Sequence, residues 1–278
     1  MPGASDLDFR DVHAADAETA YLLSIGPGQL SRIYKTSDGG MTWVLQHRND
    51  DPKVFLDAFA FWDADHGLAL GDPAGGRFVI LTTGDGGKTW APVAAEGMPP
   101  ALAGEGAFAA NGTCLVVQGS RNAWFGTGGA RASRVFRSTD RGRTWTAHET
   151  LVRAGTPSAG IFSLAFRDAE HGVAVGGDYK RADEGGATAA RTDDGGRTWT
   201  LAKGRQPAGY RSAAAFVPGT TTPVLLAVGP TGTEIALDDG DTWNRLGETG
   251  FDAIGFATSD AGWAVGEGGR IARFARAP

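Results

Sequence analysis

The chain has 278 residues, 41% of them hydrophobic, with 43 Gly, 13 Pro and a single Cys. That apolar share excludes a disordered tail, glycine without a G-X-Y period excludes collagen, and the lone Cys114 excludes an intrachain disulfide or a cysteine-rich zinc site. A net charge of −6 and a pI near 5.4 argue against broad phosphate neutralisation, so nucleic acid is not an expected partner. No stretch reaches the roughly 18 apolar residues of a membrane-spanning helix.

In chain order the sequence divides into units at residues 6–52, 53–105, 106–161, 162–211, 212–250 and 251–278. The first carries a small-apolar run ending at Gly26, a loop over 27–32, and an eight-residue motif over 36–43. The second predicts strands near 55–62, 67–71, 77–83 and 89–94, with a loop over 72–77 and the motif at 83–90. The third holds the core-like run 114–117, a run ending at Gly126, a loop over 127–134 and the motif at 138–145. In the fourth, the alternating stretch 162–166 precedes a run ending at Gly176, a loop over 177–186 and the motif at 192–199. The fifth has a run ending at Gly229, a loop over 230–234 and a degenerate motif at 236–243. The sixth offers strands at 251–257, 262–266 and 270–274, and no motif.

The motif reads (Ser/Thr/Ala)-x-Asp-x-Gly-x-Thr-Trp, with Asp38, Asp85, Asp140, Asp194 and Asp238 followed five residues later by Trp43, Trp90, Trp145, Trp199 and Trp243. Its place between the third and fourth strands assigns it a turn. The Asp carboxylate accepts turn N–H groups, Gly takes a positive φ, Thr adds a local bond and Trp fills space between neighbours. Several short strands per unit of about 50 residues match a four-stranded propeller blade. The expected fold is therefore an all-β propeller of antiparallel blades, six of them visible and the last incomplete.

The motif resembles the Asp-box, or BNR repeat, of sialidase and sortilin propellers, a repeat class akin to WD40- and YVTN-like blades. With the Asp-x-x-His-Gly elements at 63–71 and 168–176, the chain resembles most the photosystem II stability and assembly factor family, over nearly its whole length. That resemblance implies seven blades, no enzymatic activity, no cofactor and no metal. It also implies a protein partner, such as a membrane complex or its precursor, met on a periplasmic or lumenal side. The sequence shows no signal peptide, which leaves the cytoplasm open. The sixth unit stops before a fourth strand, and only residues 1–5 precede the first. Two expectations stand: a further blade encoded upstream of Met1, or a six-bladed ring with a three-stranded last blade.

Functional residues are expected on the face opposite the motif turns, where loops join second to third strands. These loops deliver Arg32, Arg77, Arg131, Arg134, Lys180, Arg181 and Arg270, and connections between blades add Lys53, Arg153, Arg205, Tyr210 and Arg211. An Arg-rich rim of this kind grips carboxylates, though the interleaved Asp72, Asp178, Asp183, Glu184 and Glu267 equally describe solvated loop charges. The alternative function is a sialidase-like or other Asp-box glycoside hydrolase, which the resemblance equips with an Arg trio, a Tyr nucleophile and an Asp acid/base. Of Tyr21, Tyr34, Tyr179 and Tyr210, Tyr210 is the best placed. His66 and His171 read as polar turn residues, and 193–196 lacks the spacing of a calcium loop.

Overall fold

The computed structural model describes residues 3–274 and contains 23 strands with only short 3-10 turns. Among the described residues no helix is long and apolar enough to cross a membrane. Consecutive strands pair antiparallel in five four-stranded sheets, β1 to β4 over residues 8–48, β5 to β8 over 56–92, β9 to β12 over 115–149, β13 to β16 over 159–201 and β17 to β20 over 213–247. A sixth sheet holds three strands, β21 (Ala253–Thr258), β22 (Ala261–Gly266) and β23 (Arg270–Arg273). The fold is a β-propeller with six blades visible. Residues 1–2 and 275–278, on which part of the expected closing strand falls, lie outside the described residues.

Two compact units are present: one of Met1–Leu102, Val117–Ala123 and Ser138–Thr146, the other of Ala103–Val116, Trp124–Arg137 and Ala147–Pro278. In the first, the core joins Tyr21, Leu23 and Ile33 of blade one to Leu56, Phe59, Phe61, Ala69 and Leu81 of blade two. In the second, Val173, Val175 and Ala189 of blade four meet Ala214, Leu225, Ala227, Ala236 and Trp243 of blade five. Alternate residues of each second strand thus face opposite neighbours, the consequence of the two-residue strand period.

Three of the innermost strands share a defect. Register breaks occur between Phe9 and Asp11 in β1 (Asp8–Ala14), Leu56 and Ala58 in β5 (Leu56–Phe61), and Ile161 and Ser163 in β13 (Ala159–Phe166). Opposite the break in β5 stands Gly71, and opposite that in β13 stands Gly176, where a Cβ would strike the Phe55 or Gly160 carbonyl oxygen. Close backbone approach, rather than turn conformation, demands glycine at both positions. In blade one the buried Ser24 occupies this register, two residues before the Gly26 expected from sequence.

Blade two follows expectation for three strands, but β8 is only Ala91–Pro92. Blade three departs further. Its inner strand β9 is confined to Leu115–Gln118, and residues 106–114 run irregularly ahead of it.

Candidate functional site

The repeated turns come first, because they hold the blades. Thr36 Oγ1 donates to Asp38 Oδ1 at 2.7 Å and accepts from Gly40 N at 2.9 Å. Asp38 accepts Thr42 N at 2.8 Å and Thr42 Oγ1 at 2.5 Å, and Trp43 Nε1 donates to Gly40 O. The same Asp and hydroxyl bonds recur at Asp85, Asp140 and Asp194. The Thr42 hydroxyl, then the Thr42 amide and Thr36 hydroxyl, hold the Asp38 carboxyl down at about 2, and the Thr89 hydroxyl and amide lead the same effect at Asp85. At Asp194 burial pushes the other way, and the bonds from Thr198, Thr192 and Arg197 outweigh it, again leaving about 2. In the fifth copy Ala236 replaces the hydroxyl residue, and Asp238 keeps the bond from Thr242 N. His66 Nδ1 lies 2.8 Å from Asp63 and His171 Nδ1 2.9 Å from Asp168, within repeated turns.

The candidate rim residues fall in both units. In the first, Arg32 Nε donates to Gln29 O and Nη1 to the Tyr34 hydroxyl, and Arg77 donates to Met98 O. Apart from Lys53, also of the first unit, the remainder lie in the second unit, in two layers. The inner layer is buried. Arg134 makes a two-pronged pair with Glu105, and Arg211 Nε sits 3.0 Å from Glu234. Arg211 is fully enclosed, also donating to Tyr210 O and Thr231 Oγ1. These two guanidiniums therefore pin the connections between blades, using carboxylates 29 and 23 residues away in sequence.

The outer layer is built on the loop after β14 (Gly172–Asp178). The buried Asp178 accepts Lys180 N, Thr156 Oγ1 and Arg181 Nε, which fixes a 3-10 turn over Tyr179–Arg181. Burial opposes ionisation of Asp178, but the Ser158, Lys180 and Thr156 bonds and the Arg181 charge prevail and hold its carboxyl below the usual range. Glu184 receives both Arg153 Nη1, at 2.8 Å, and Arg181 Nη1, at 3.3 Å. Tyr179, Lys180 and Arg181 are exposed, as is Arg131, which pairs with Glu149. Arg270 donates to Gly250 O and lies over the Phe251 ring.

An aromatic row leads away from that turn. Phe108 stacks on Phe162 with centroids 3.9 Å apart, and Phe162 meets Tyr210 and Tyr179 edge-on at 4.7 and 6.0 Å. Beside it Asn111 Nδ2 donates to Ser212 O and Asp252 O. Sequence reasoning missed Phe108, Phe162 and Asn111. The one signal was the loss of strand alternation across 106–114. Burial pushes the Tyr210 phenol well above its ordinary range, helped by Asp252 and Tyr179, so it is held protonated.

The fold and this loop face define a propeller scaffold with a cationic, aromatic-backed loop in its second unit. No family model matches the sequence, and no curated protein matches it. Among solved structures, "YCF48 bound to D1 peptide" is 17% identical over 98% of this chain and 92% of that one, with a TM-score of 0.54. YCF48 from Cyanidioschyzon merolae is likewise 17% identical over 99% and 97%, with a TM-score of 0.55. The GH74 enzyme of Niastella koreensis gives 16% identity and a TM-score of 0.64 over 96% of this chain and 45% of its own. At such identities the shared property is the propeller fold.

Proposed function

We propose that the chain is a non-enzymatic propeller module, similar to photosystem II assembly factors with Asp-box repeats, that binds an acidic segment of a protein partner. The observation that carries this reading is the Tyr179–Arg181 turn. Its buried anchor Asp178 presents Lys180 and Arg181 outward, next to Arg153 and ahead of an aromatic row. A preformed cationic loop loses little entropy on binding, and its guanidiniums suit carboxylates bidentately. Exposed Arg131 and Arg270 of the same unit extend the reading. Arg134 and Arg211 support it from below. The partner in this reading is a membrane complex or its precursor, met on the periplasmic or lumenal side. The likeness to a propeller bound to a D1 peptide supplies the probe.

Fluorescence anisotropy with a labelled D1 peptide tests it. Binding to the wild-type chain, reduced at least tenfold in a Lys180→Glu/Arg181→Glu double variant, is the expected result. Equal binding by both chains refutes the site.

A glycoside hydrolase reading has one observation in its favour. Burial, reinforced by the charge of Asp72, pushes the Asp57 carboxyl far up, and burial takes Asp11 to about 7, so protonated acids exist on β5 and β1. Asp57 is, however, sealed at 1% exposure, and Tyr210 is held as the phenol. Turnover of aryl glycosides that is lost in Asp57→Asn would favour the hydrolase.

A further inference from the structure

Blade three reverses the charge that its counterparts carry at one repeated turn. In blades one, two and four the residue after the motif Asp is Gly39, Gly86 or Gly195. Its N–H donates to the carbonyl of an acidic residue in the turn between the blade's first two strands, Glu18, Asp65 or Glu170, at 2.8–2.9 Å. Two residues before that acid stands another, Asp16, Asp63 or Asp168, which accepts the turn's own amides. In blade three the same bond runs from Arg141 N to Arg121 O at 2.9 Å, and the position two residues before Arg121 is Gly119. Both acids are replaced, and a guanidinium stands on each side of the bond.

Arg141 holds this place against its backbone preference. Its φ is 62°, in the left-handed region that disfavours a side chain and that Gly39, Gly86 and Gly195 occupy at 69–73°. Asp239, the counterpart in blade five, also has a positive φ, and its carboxylate makes a two-pronged pair with Arg167. Arg141 has no such pair. Its Nε donates to Ser120 O at 2.8 Å, and its Nη2 is 3.8 Å from the Asp63 carboxylate, which His66 Nδ1 already engages at 2.8 Å. Ser120, Arg121, Asp140, Arg141 and Arg143 line a cavity of about 370 Å³ that lies wholly within the first compact unit. Arg121 and Arg143 are exposed, and among the described residues their side chains make no hydrogen bond or ion pair. Asp140 is engaged by its own motif turn, accepting Ser138 Oγ, Arg143 N, Thr144 N and Thr144 Oγ1. No apolar residue lines the cavity. One guanidinium fork satisfies a carboxylate, whereas three around one opening suit an oxyanion of higher charge with more oxygens.

We propose that this cavity binds a phosphate dianion, free or as a monoester, through Arg121, Arg141 and Arg143. The site is independent of the peptide reading, which uses other loops. Isothermal titration calorimetry of the full chain at fixed ionic strength tests it, with inorganic phosphate and phenyl phosphate as probes and acetate as the monoanionic control. Phosphate binding, with acetate at least about tenfold weaker, is the expected result, and the tighter of the two phosphates identifies ion or ester as the source. Arg121→Ala/Arg143→Ala removes two side chains that hold nothing else, and Arg141→Gly restores the residue of three other copies. Both variants are expected to keep the wild-type circular dichroism spectrum and to weaken phosphate binding at least about tenfold. No phosphate binding, acetate binding as tight as phosphate, or phosphate binding unchanged in both variants overturns the proposal.

Discussion

Removing the carboxylate of Glu234 is expected to destabilise the chain far more than any surface charge change. Glu234 and Arg211 are 2% and 0% exposed and 3.0 Å apart, and Glu234 also accepts Ala208 N at 2.9 Å. In Glu234→Ala the guanidinium stays buried without its counter-charge, a situation that costs about 3–5 kcal/mol, and the Ala208 amide loses its acceptor. The pair itself is worth much less, because desolvating both ions cancels most of their attraction. Arg211→Met/Glu234→Leu is therefore expected within about 1–2 kcal/mol of wild type. Urea unfolding followed by tryptophan fluorescence measures both. A Glu234→Ala loss under about 1 kcal/mol would refute the reasoning, since it would mean that water reaches Arg211. The double variant is also expected to keep D1 peptide binding, because Arg211 is fully buried and does not reach the peptide.

The motif turns give a graded series. Asp194→Ala, which strands four donors, is expected to cost about 2–3 kcal/mol in urea unfolding, and Asp238→Ala, which strands one, about 1 kcal/mol. Ala236→Ser restores the missing hydroxyl and is expected to gain about 0.5–1 kcal/mol, read as a raised urea midpoint. Trp243→Ala empties a fully buried site between blades four and five, and an expected loss of about 3–5 kcal/mol would show in the same assay. Asp11 keeps its proton to about 7 when folded but loses it near 3.8 unfolded, so its contribution is full below pH 3.8 and is lost as pH rises through 7. Asp11→Asn keeps an acceptor for Phe59 N and is expected to flatten that fall in a pH series of melting temperatures. The depressed Asp38, Asp85 and Asp194 act oppositely, supporting the fold above about pH 4 and failing as pH drops through 2.

Repeats made the architecture legible. A turn whose hydroxyl, carboxylate, glycine and indole all bond within eight residues writes its whole geometry into local sequence, and the blades follow from its spacing. Where contacts are long-range, the sequence was silent. Nothing near Arg134 or Arg211 marks them as buried, because their partners Glu105 and Glu234 arrive through the fold. Across the irregular segment 106–114 the strand alternation fails, and there Phe108 stacks on Phe162 while Asn111 bonds to residues more than 100 positions away. The rim was visible as a set of Arg and Lys positions. Which of them are structural and which face outward depended on acids that only tertiary packing brings close.

Hydrogen–deuterium exchange of the full chain, with and without the D1 peptide, tests the central claim most directly. Slowed exchange confined to residues 178–186 and the adjoining 149–155 is the predicted result. Unchanged exchange there, with protection elsewhere or none at all, would contradict the account.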